Sequence, residues 1–235
     1  MQQTPKLAKP ANVAINGFGR IGRDTLRALE EQGLLQGKFN VVAINDIKEP
    51  FKTSTYLLNN DSIFHKFKRK AVLDGNVMHL ETAKSIMNIQ MLAEADPQRL
   101  PWRDLDVQIV LESTGAEKLL NEEGAKMHIE AGAKKVLMSA PPKDNTKIIV
   151  LGVNDAGINF SDYDIISGAS CTTNCVAPML HVLHNEFGVL RYYANTTHAY
   201  TNDQNLTDGA HTDLPRSRAA ALNIIESKTG AAKAT

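Results

Sequence analysis

A glycine-rich turn between a short apolar strand and an amphipathic helix most constrains how this chain can fold. The strand is expected over Ala11 to Asn16. The turn Gly17-Phe18-Gly19-Arg20-Ile21-Gly22 follows it, and the helix runs to about Gln32. In such a G-x-G-x-x-G the first glycine permits a tight turn and the second lets backbone approach a pyrophosphate. The third lets helix pack on strand, and the helix N-terminus receives the phosphate charge. Alone the pattern is weak. Its context adds Asp46, 24 positions beyond Gly22 and at the end of a second strand, Phe39 to Asp46. A carboxylate there accepts hydrogen bonds from an adenosine ribose and repels a 2′-phosphate, so NAD is expected over NADP. The competing reading of Asp46 is an ordinary turn or N-cap residue before Ile47.

Further strands are expected over Asp106 to Ser113 and Lys135 to Ala140, with a helix over Ala116 to Ala131 between them. Val41 to Val42 and Ile109 to Leu111 are apolar runs of the kind buried on both faces, which implies a parallel sheet covered by helices. From about Phe64 to Leu92 the pattern is irregular and reads as strands and loops. Two strands end in small hydroxyl residues, at Glu112-Ser113-Thr114-Gly115 and Ser139-Ala140-Pro141. Strand C-termini are where open α/β sheets place ligands, so Thr114 and Ser139 are candidate cofactor contacts; as turn residues they also need no such role.

Equal numbers of basic and acidic residues, 26 of each, give no electrostatic case for nucleic acid or an anionic membrane. No apolar run has spanning length, and Met1 to Pro10 lacks a signal-peptide h-region, so it reads as a loose tail. Two cysteines four apart on one helix cannot form a disulfide framework, and neither has neighbours at metal-ligand spacing. A reducing, cytoplasmic setting fits these features.

Chemistry is suggested most strongly by Ser170-Cys171-Thr172-Thr173-Asn174-Cys175. Apolar residues recur after it at Val176, Met179, Leu180, Leu183 and Phe187, one face of a helix. With Ser170 as N-cap, Cys171 lies at the positive end of the helix dipole, which favours its nucleophilic thiolate. The surrounding hydroxyls and amide are too polar for an ordinary core segment. A thiolate needs a cationic or hydrogen-bonding partner. Of the seven histidines, His198 in the β-rich run Thr196-Thr197-His198-Ala199-Tyr200-Thr201 is the candidate, being flanked by hydroxyls. His65, His79, His128, His181, His184 and His211 lie in segments that read as solvated.

Together, Ser170 to Cys175, the Thr196-to-Gln204 run and the Asn16-to-Arg23 turn resemble the glyceraldehyde-3-phosphate dehydrogenase family. The resemblance extends from Asn12 to Lys233. It implies an α/β fold: a Rossmann-type, doubly wound, mainly parallel sheet over 1–168 that binds NAD, its first ten residues a loose tail. An incomplete α+β catalytic domain follows over 169–235. It implies that Cys171 attacks the aldehyde of glyceraldehyde 3-phosphate and that His198 acts as base. The backbone N–H of Cys171 is then the second oxyanion donor. Ser170, Thr172, Thr201, Thr229 and Gly230 match positions that hold the substrate phosphate and the attacking inorganic phosphate. Arg20, Ile21, Asp46 and Ser139 match cofactor contacts. A homotetramer with an interface through Asn202 to Arg216 is also implied.

The chain departs from the family pattern in several places. It stops at Thr235, where family members continue through the rest of the catalytic domain, so an unburied apolar face is expected. Gly168 stands where Asn is usual. Asn59 to His65 replaces a more usual Tyr-Asp-Ser followed by His-Gly. Gly209-Ala210 and Pro215 alter the interface loop. A relative acting on erythrose 4-phosphate, and a catalytically silent dinucleotide-binding fragment, are the alternative functions.

Overall fold

The computed structural model describes residues 9–47 and 50–227. The chain divides into two compact units between Cys171 and Thr172.

The first unit is built on one eight-stranded sheet. Its strands are β1 (Ala11–Asn16), β2 (Phe39–Asn45), β5 (Ala71–Asp74), β6 (Val77–Glu81), β7 (Ile86–Leu92), β8 (Ile109–Glu112), β9 (Lys135–Met138) and β10 (Ile165–Ser167). Two short strands, β3 (Asn60–Asp61) and β4 (His65–Lys66), pair separately. The order across the large sheet is β10-β9-β8-β1-β2-β7-β6-β5. Every pair from β10 to β7 is parallel, and β7-β6-β5 closes that edge as an antiparallel meander. This is a doubly wound α/β sheet, as expected.

Alternation along β1 explains the two layers. Val13 and Ile15 enter one core cluster, which Leu26 of α1 (Arg20–Glu31) and Leu58 of α2 (Phe51–Asn59) join. Ala14 turns to the opposite face, with Ala43, Trp102, Val136 and Ala125 of α3 (Glu122–Glu130). Successive strand side chains must point to opposite faces, and here both faces find apolar cover.

Two expectations are corrected. The helix over Ala116 to Ala131 is split, with a 3-10 turn at Glu117–Leu119 preceding α3. Asn121 causes the break, because its side chain accepts the Gly124 N–H at 2.7 Å and so starts a new helix. The strand over Asp106 to Ser113 begins later, at Ile109, because Asp106 lies in the left-handed region at φ 48°. The middle, expected as strands and loops, holds the meander β5 to β7.

The second unit begins within α4 (Cys171–Phe187). Its buried residues among those described are Thr173, Ala177, Gln204 and Ala220. The β-rich run at 196–201 forms no strand. An extended segment gains little without a neighbouring strand to complete its hydrogen bonds.

Candidate active site

The glycine turn sits where strand order reverses, between β1 and β8, at the C-terminal edge of the sheet. That is the crevice where open α/β sheets bind ligands. Its three glycines differ in surroundings. A Cβ on Gly17, at φ 92°, would lie 2.5 Å from the Thr114 nitrogen. One on Gly22 would lie 2.3 Å from the Gly17 carbonyl oxygen, so the helix packs directly on the turn. Around Gly19 there is open space, with no atom within 4 Å of such a Cβ. Gly19 is also the N-cap of α1; it makes no side-chain cap, and the first turn carries no acidic residue. The first N–H groups of α1 therefore face a space suited to an anion.

Asp46 follows β2 directly and is almost fully buried. Its Oδ2 accepts the Phe18 N–H at 2.7 Å, so the carboxylate is fastened to the glycine turn itself. Ile21 is half exposed in the first turn of α1. Arg20 beside it pairs with Asp24 at 3.1 Å and with Asp61. Burial works against the Asp61 charge, but Arg20 and the N–H groups of Phe64 and Ile63 outweigh it. They hold the carboxyl well below its ordinary range. The Arg20 guanidinium also stacks 5.3 Å from the Phe64 ring centroid. Ser139 and Thr114 close the strand ends: the Ser139 N–H donates to the Glu112 carbonyl at 2.9 Å.

Beneath this edge lies a polar group that sequence reasoning missed. Asn45, Asn16 and Glu112 are the last residues of β2, β1 and β8, and the strand register sets them side by side. Asn45 Nδ2 donates to Asn16 Oδ1 at 2.7 Å, and Asn16 Nδ2 to Glu112 Oε2 at 2.6 Å. The other Glu112 oxygen accepts the Thr114 N–H at 2.9 Å and the Thr114 hydroxyl. From α3, His128 Nε2 reaches Glu112 Oε2 at 3.1 Å. Trp102 Nε1, which can only donate, lies 3.0 Å from His128 Nδ1. His128 is therefore the neutral ring with its hydrogen on Nε2, donating to the carboxylate. Burial opposes the Glu112 charge, yet bonds from His128, Thr114 and Asn16 prevail and hold the carboxyl below its ordinary range. The expectation that His128 is solvated is thus corrected: it is fully buried. The signal was the charged or amide residue that ends each of three apolar strands, but only the register aligns them.

The helix α4 begins at Cys171, with Ser170 directly before it. The approach is tightly held. Ser167 Oγ donates to the Ala140 carbonyl at 2.8 Å and accepts the Ala169 N–H at 3.0 Å. Ala169 itself is in the left-handed region, at φ 65°, a conformation non-glycine residues adopt at a cost and often near functional positions. Cys171 and Cys175 are exposed and in no disulfide. Thr172 follows Cys171 in the first turn of α4 and is partly buried. In the second unit, His198 is exposed and its Nδ1 lies 2.6 Å from the Ala199 carbonyl oxygen. A carbonyl only accepts, so the neutral ring carries its hydrogen on Nδ1 and Nε2 is the basic nitrogen. Thr201 is exposed and lines an open pocket with Tyr200, Asn202 and Gln204. Thr229 and Gly230 lie outside the described residues. Among those described, no group of His, Cys, Asp and Glu could hold a metal ion, and no helix is long and apolar enough to cross a membrane.

A parallel sheet with a glycine turn at its switch point and a carboxylate after the second strand defines a Rossmann-type dinucleotide-binding protein. Two family profiles match it. Residues 11–119 match the NAD binding domain of glyceraldehyde 3-phosphate dehydrogenase, and residues 170–235 match its C-terminal domain. Glyceraldehyde-3-phosphate dehydrogenase of Mycoplasma pneumoniae is 49% identical over 228 residues, covering 97% of this chain and 64% of the relative. That of Thermotoga maritima is 46% identical over 224 residues, covering 95% and 64%. The chloroplastic enzyme of Chondrus crispus is 47% identical over 225 residues, covering 94% and 52%. The chain belongs to the glyceraldehyde-3-phosphate dehydrogenase family, and its first unit carries that family's NAD-binding domain. It spans less than two thirds of the length of these relatives.

Proposed function

We propose that the chain serves the NAD-dependent oxidation of glyceraldehyde 3-phosphate to an acyl phosphate, with Cys171 as nucleophile. The observation that carries this reading is Cys171 placed, exposed, as the first residue of α4, where the helix dipole favours thiolate. The open space above Gly19 and the uncapped first turn of α1 suit the pyrophosphate of NAD. Gly17, Gly19, Arg20, Ile21 and Gly22 hold that part, Asp46 the adenosine ribose, and Thr114 and Ser139 the strand-edge side. NAD, when bound, accepts the hydride.

Cys171 Sγ attacks the aldehyde carbon, forming a C–S bond, and the carbonyl oxygen takes the negative charge against the Cys171 N–H. His198 Nε2, having first taken the Cys171 thiol proton, gives it to that oxygen and recovers it as hydride leaves the same carbon, leaving a thioester. Inorganic phosphate then attacks the thioester carbon, the C–S bond breaks and Cys171 returns as thiolate. Ser170, Thr172 and Thr201, with Thr229 and Gly230, hold the two phosphates by hydroxyl and N–H groups. A place in glycolysis, a cytoplasmic setting and a homotetramer through 202–216 go with this reading.

The test is Cys171→Ser. Its dehydrogenase activity should fall to background while NAD affinity is kept, because a serine hydroxyl is not ionised at neutral pH. Turnover by that variant would remove the proposed nucleophile. Rapid alkylation of Cys171 near neutral pH, lost in His198→Asn, separates this reading from a silent dinucleotide-binding protein. Turnover of glyceraldehyde 3-phosphate against erythrose 4-phosphate then sets the substrate.

A further inference from the structure

We propose that Glu112 is a positioning residue for the dinucleotide site, acting through Thr114 and the buried Asn16–Asn45 pair to set the glycine turn. The inference rests on the dinucleotide reading above and goes beyond it, since Glu112 and His128 are 0% exposed and can touch no ligand.

The route is short and made of contacts. Glu112 binds both the N–H and the hydroxyl of Thr114 through one oxygen. The Thr114 nitrogen forms part of the floor on which Gly17 rests, so close that a Cβ on Gly17 would overlap it. Ser113, between them in sequence, donates its hydroxyl to the Gly17 carbonyl at 2.7 Å. Through its other oxygen Glu112 binds Asn16, the residue before Gly17, and Asn16 binds Asn45. The Asn45 carbonyl accepts the Gly17 N–H at 2.8 Å. The next residue after Asn45 is Asp46, which accepts the Phe18 N–H. Both ends of the turn are thus referred to one carboxylate. A buried carboxylate with no cationic partner is costly to keep, and an apolar residue would pack the same space without that cost. What the charge adds is four converging donors, each strengthened by a low-dielectric setting, which fix the turn before ligand arrives.

Glu112→Gln is the discriminating change. It keeps the shape but exchanges an accepting oxygen for an NH2 group, which must meet either the Thr114 donors or those of Asn16 and His128. NAD and ADP-ribose affinities should both fall by about tenfold in a folded variant, because the turn is no longer held. His128→Leu removes one donor from the far side and should weaken NAD by a few-fold. His128→Gln, which returns an N–H near the same place, should bind within about twofold of the parent. Trp102 is the sole tryptophan and sits on this chain of bonds, so its emission reports in each variant whether the group is intact.

A purely structural role would lower thermal stability and leave affinity where it was. If folded Glu112→Gln binds NAD within about twofold of the parent, the inference is overturned. Should that variant not fold, equal NAD affinity in His128→Leu and His128→Gln overturns it instead. A parent protein that binds neither NAD nor ADP-ribose would sink the dinucleotide reading itself, and the inference with it.

Discussion

At the scale of single residues, position along a strand decides chemistry. Asp46 lies one residue past β2, where its carboxylate both anchors Phe18 and borders the crevice above the glycine turn. A 2′-phosphate there meets like charge, a repulsion worth several kcal/mol where water is excluded. Asp46→Gly should therefore lower the ratio of NAD to NADP affinity by about tenfold or more. Asp46→Asn should do the same while keeping an acceptor for the Phe18 N–H. Titration of both dinucleotides against each variant checks this; an unchanged ratio would mean that Asp46 is not the ribose contact. Asp46 was legible because the spacing from a glycine turn to the end of the next strand is a local property of the chain. Glu112 and His128 were not. In sequence, Glu112 is the polar end of Val110-Leu111-Glu112, and His128 sits among Lys126, Met127 and Glu130. Only parallel pairing of β8 with β1, and of β1 with β2, brings the three strand ends into one row.

At the scale of elements, legibility followed how locally each one is determined. Strand β1 and helix α1 have their apolar pattern, their turn and their caps within twenty-odd residues. The meander β5 to β7 does not: its alternation is interrupted by Asn, Lys and Met, and its register is set across the sheet. The β3–β4 hairpin shows what local departures cost. His65 occupies the left-handed region, at φ 61°. The turn tolerates it because several bonds hold the backbone. Asp61 accepts the Ile63 and Phe64 N–H groups, both at 2.8 Å, and buried Arg27 donates to the His65 carbonyl at 3.1 Å. A left-handed non-glycine residue costs about 1–2 kcal/mol, and glycine returns part of that through greater freedom of the unfolded chain. His65→Gly should accordingly stabilise the protein by about 0.5 kcal/mol, raising the unfolding midpoint by about 1–2 °C. The Arg27 bonds go to backbone and survive the change. Calorimetry decides it: a lowered midpoint would show that the His65 side chain itself stabilises the fold.

At the scale of the whole molecule, the two units are held by different means. The first has an apolar cluster on each face of its sheet, the arrangement that drives folding by burial. The second, among the described residues, is held mainly by polar bonds. Asn205 N–H donates to the Arg216 carbonyl at 3.0 Å, and Arg216 pairs with Asp203 at 2.8 Å. Such exposed pairs contribute little each, typically under about 1 kcal/mol. The apolar stripe of α4 was legible as a helical face, and the structure leaves much of it open: Met179, Val182, Leu183 and Phe187 are all exposed. Side chains left this exposed contribute less to stability than core residues and present a patch that attracts apolar dyes and other copies of the chain. Replacing Leu183 and Phe187 together by Lys should therefore leave the unfolding midpoint within about 2 °C of the parent. The same change should cut binding of an environment-sensitive dye and shift sedimentation toward a smaller species. Lysine suits an exposed helix as well as leucine does, so helicity by circular dichroism should hold. A large fall in the midpoint would mean that these two side chains are packed in solution, and that the second unit has a core beyond the four residues buried among those described.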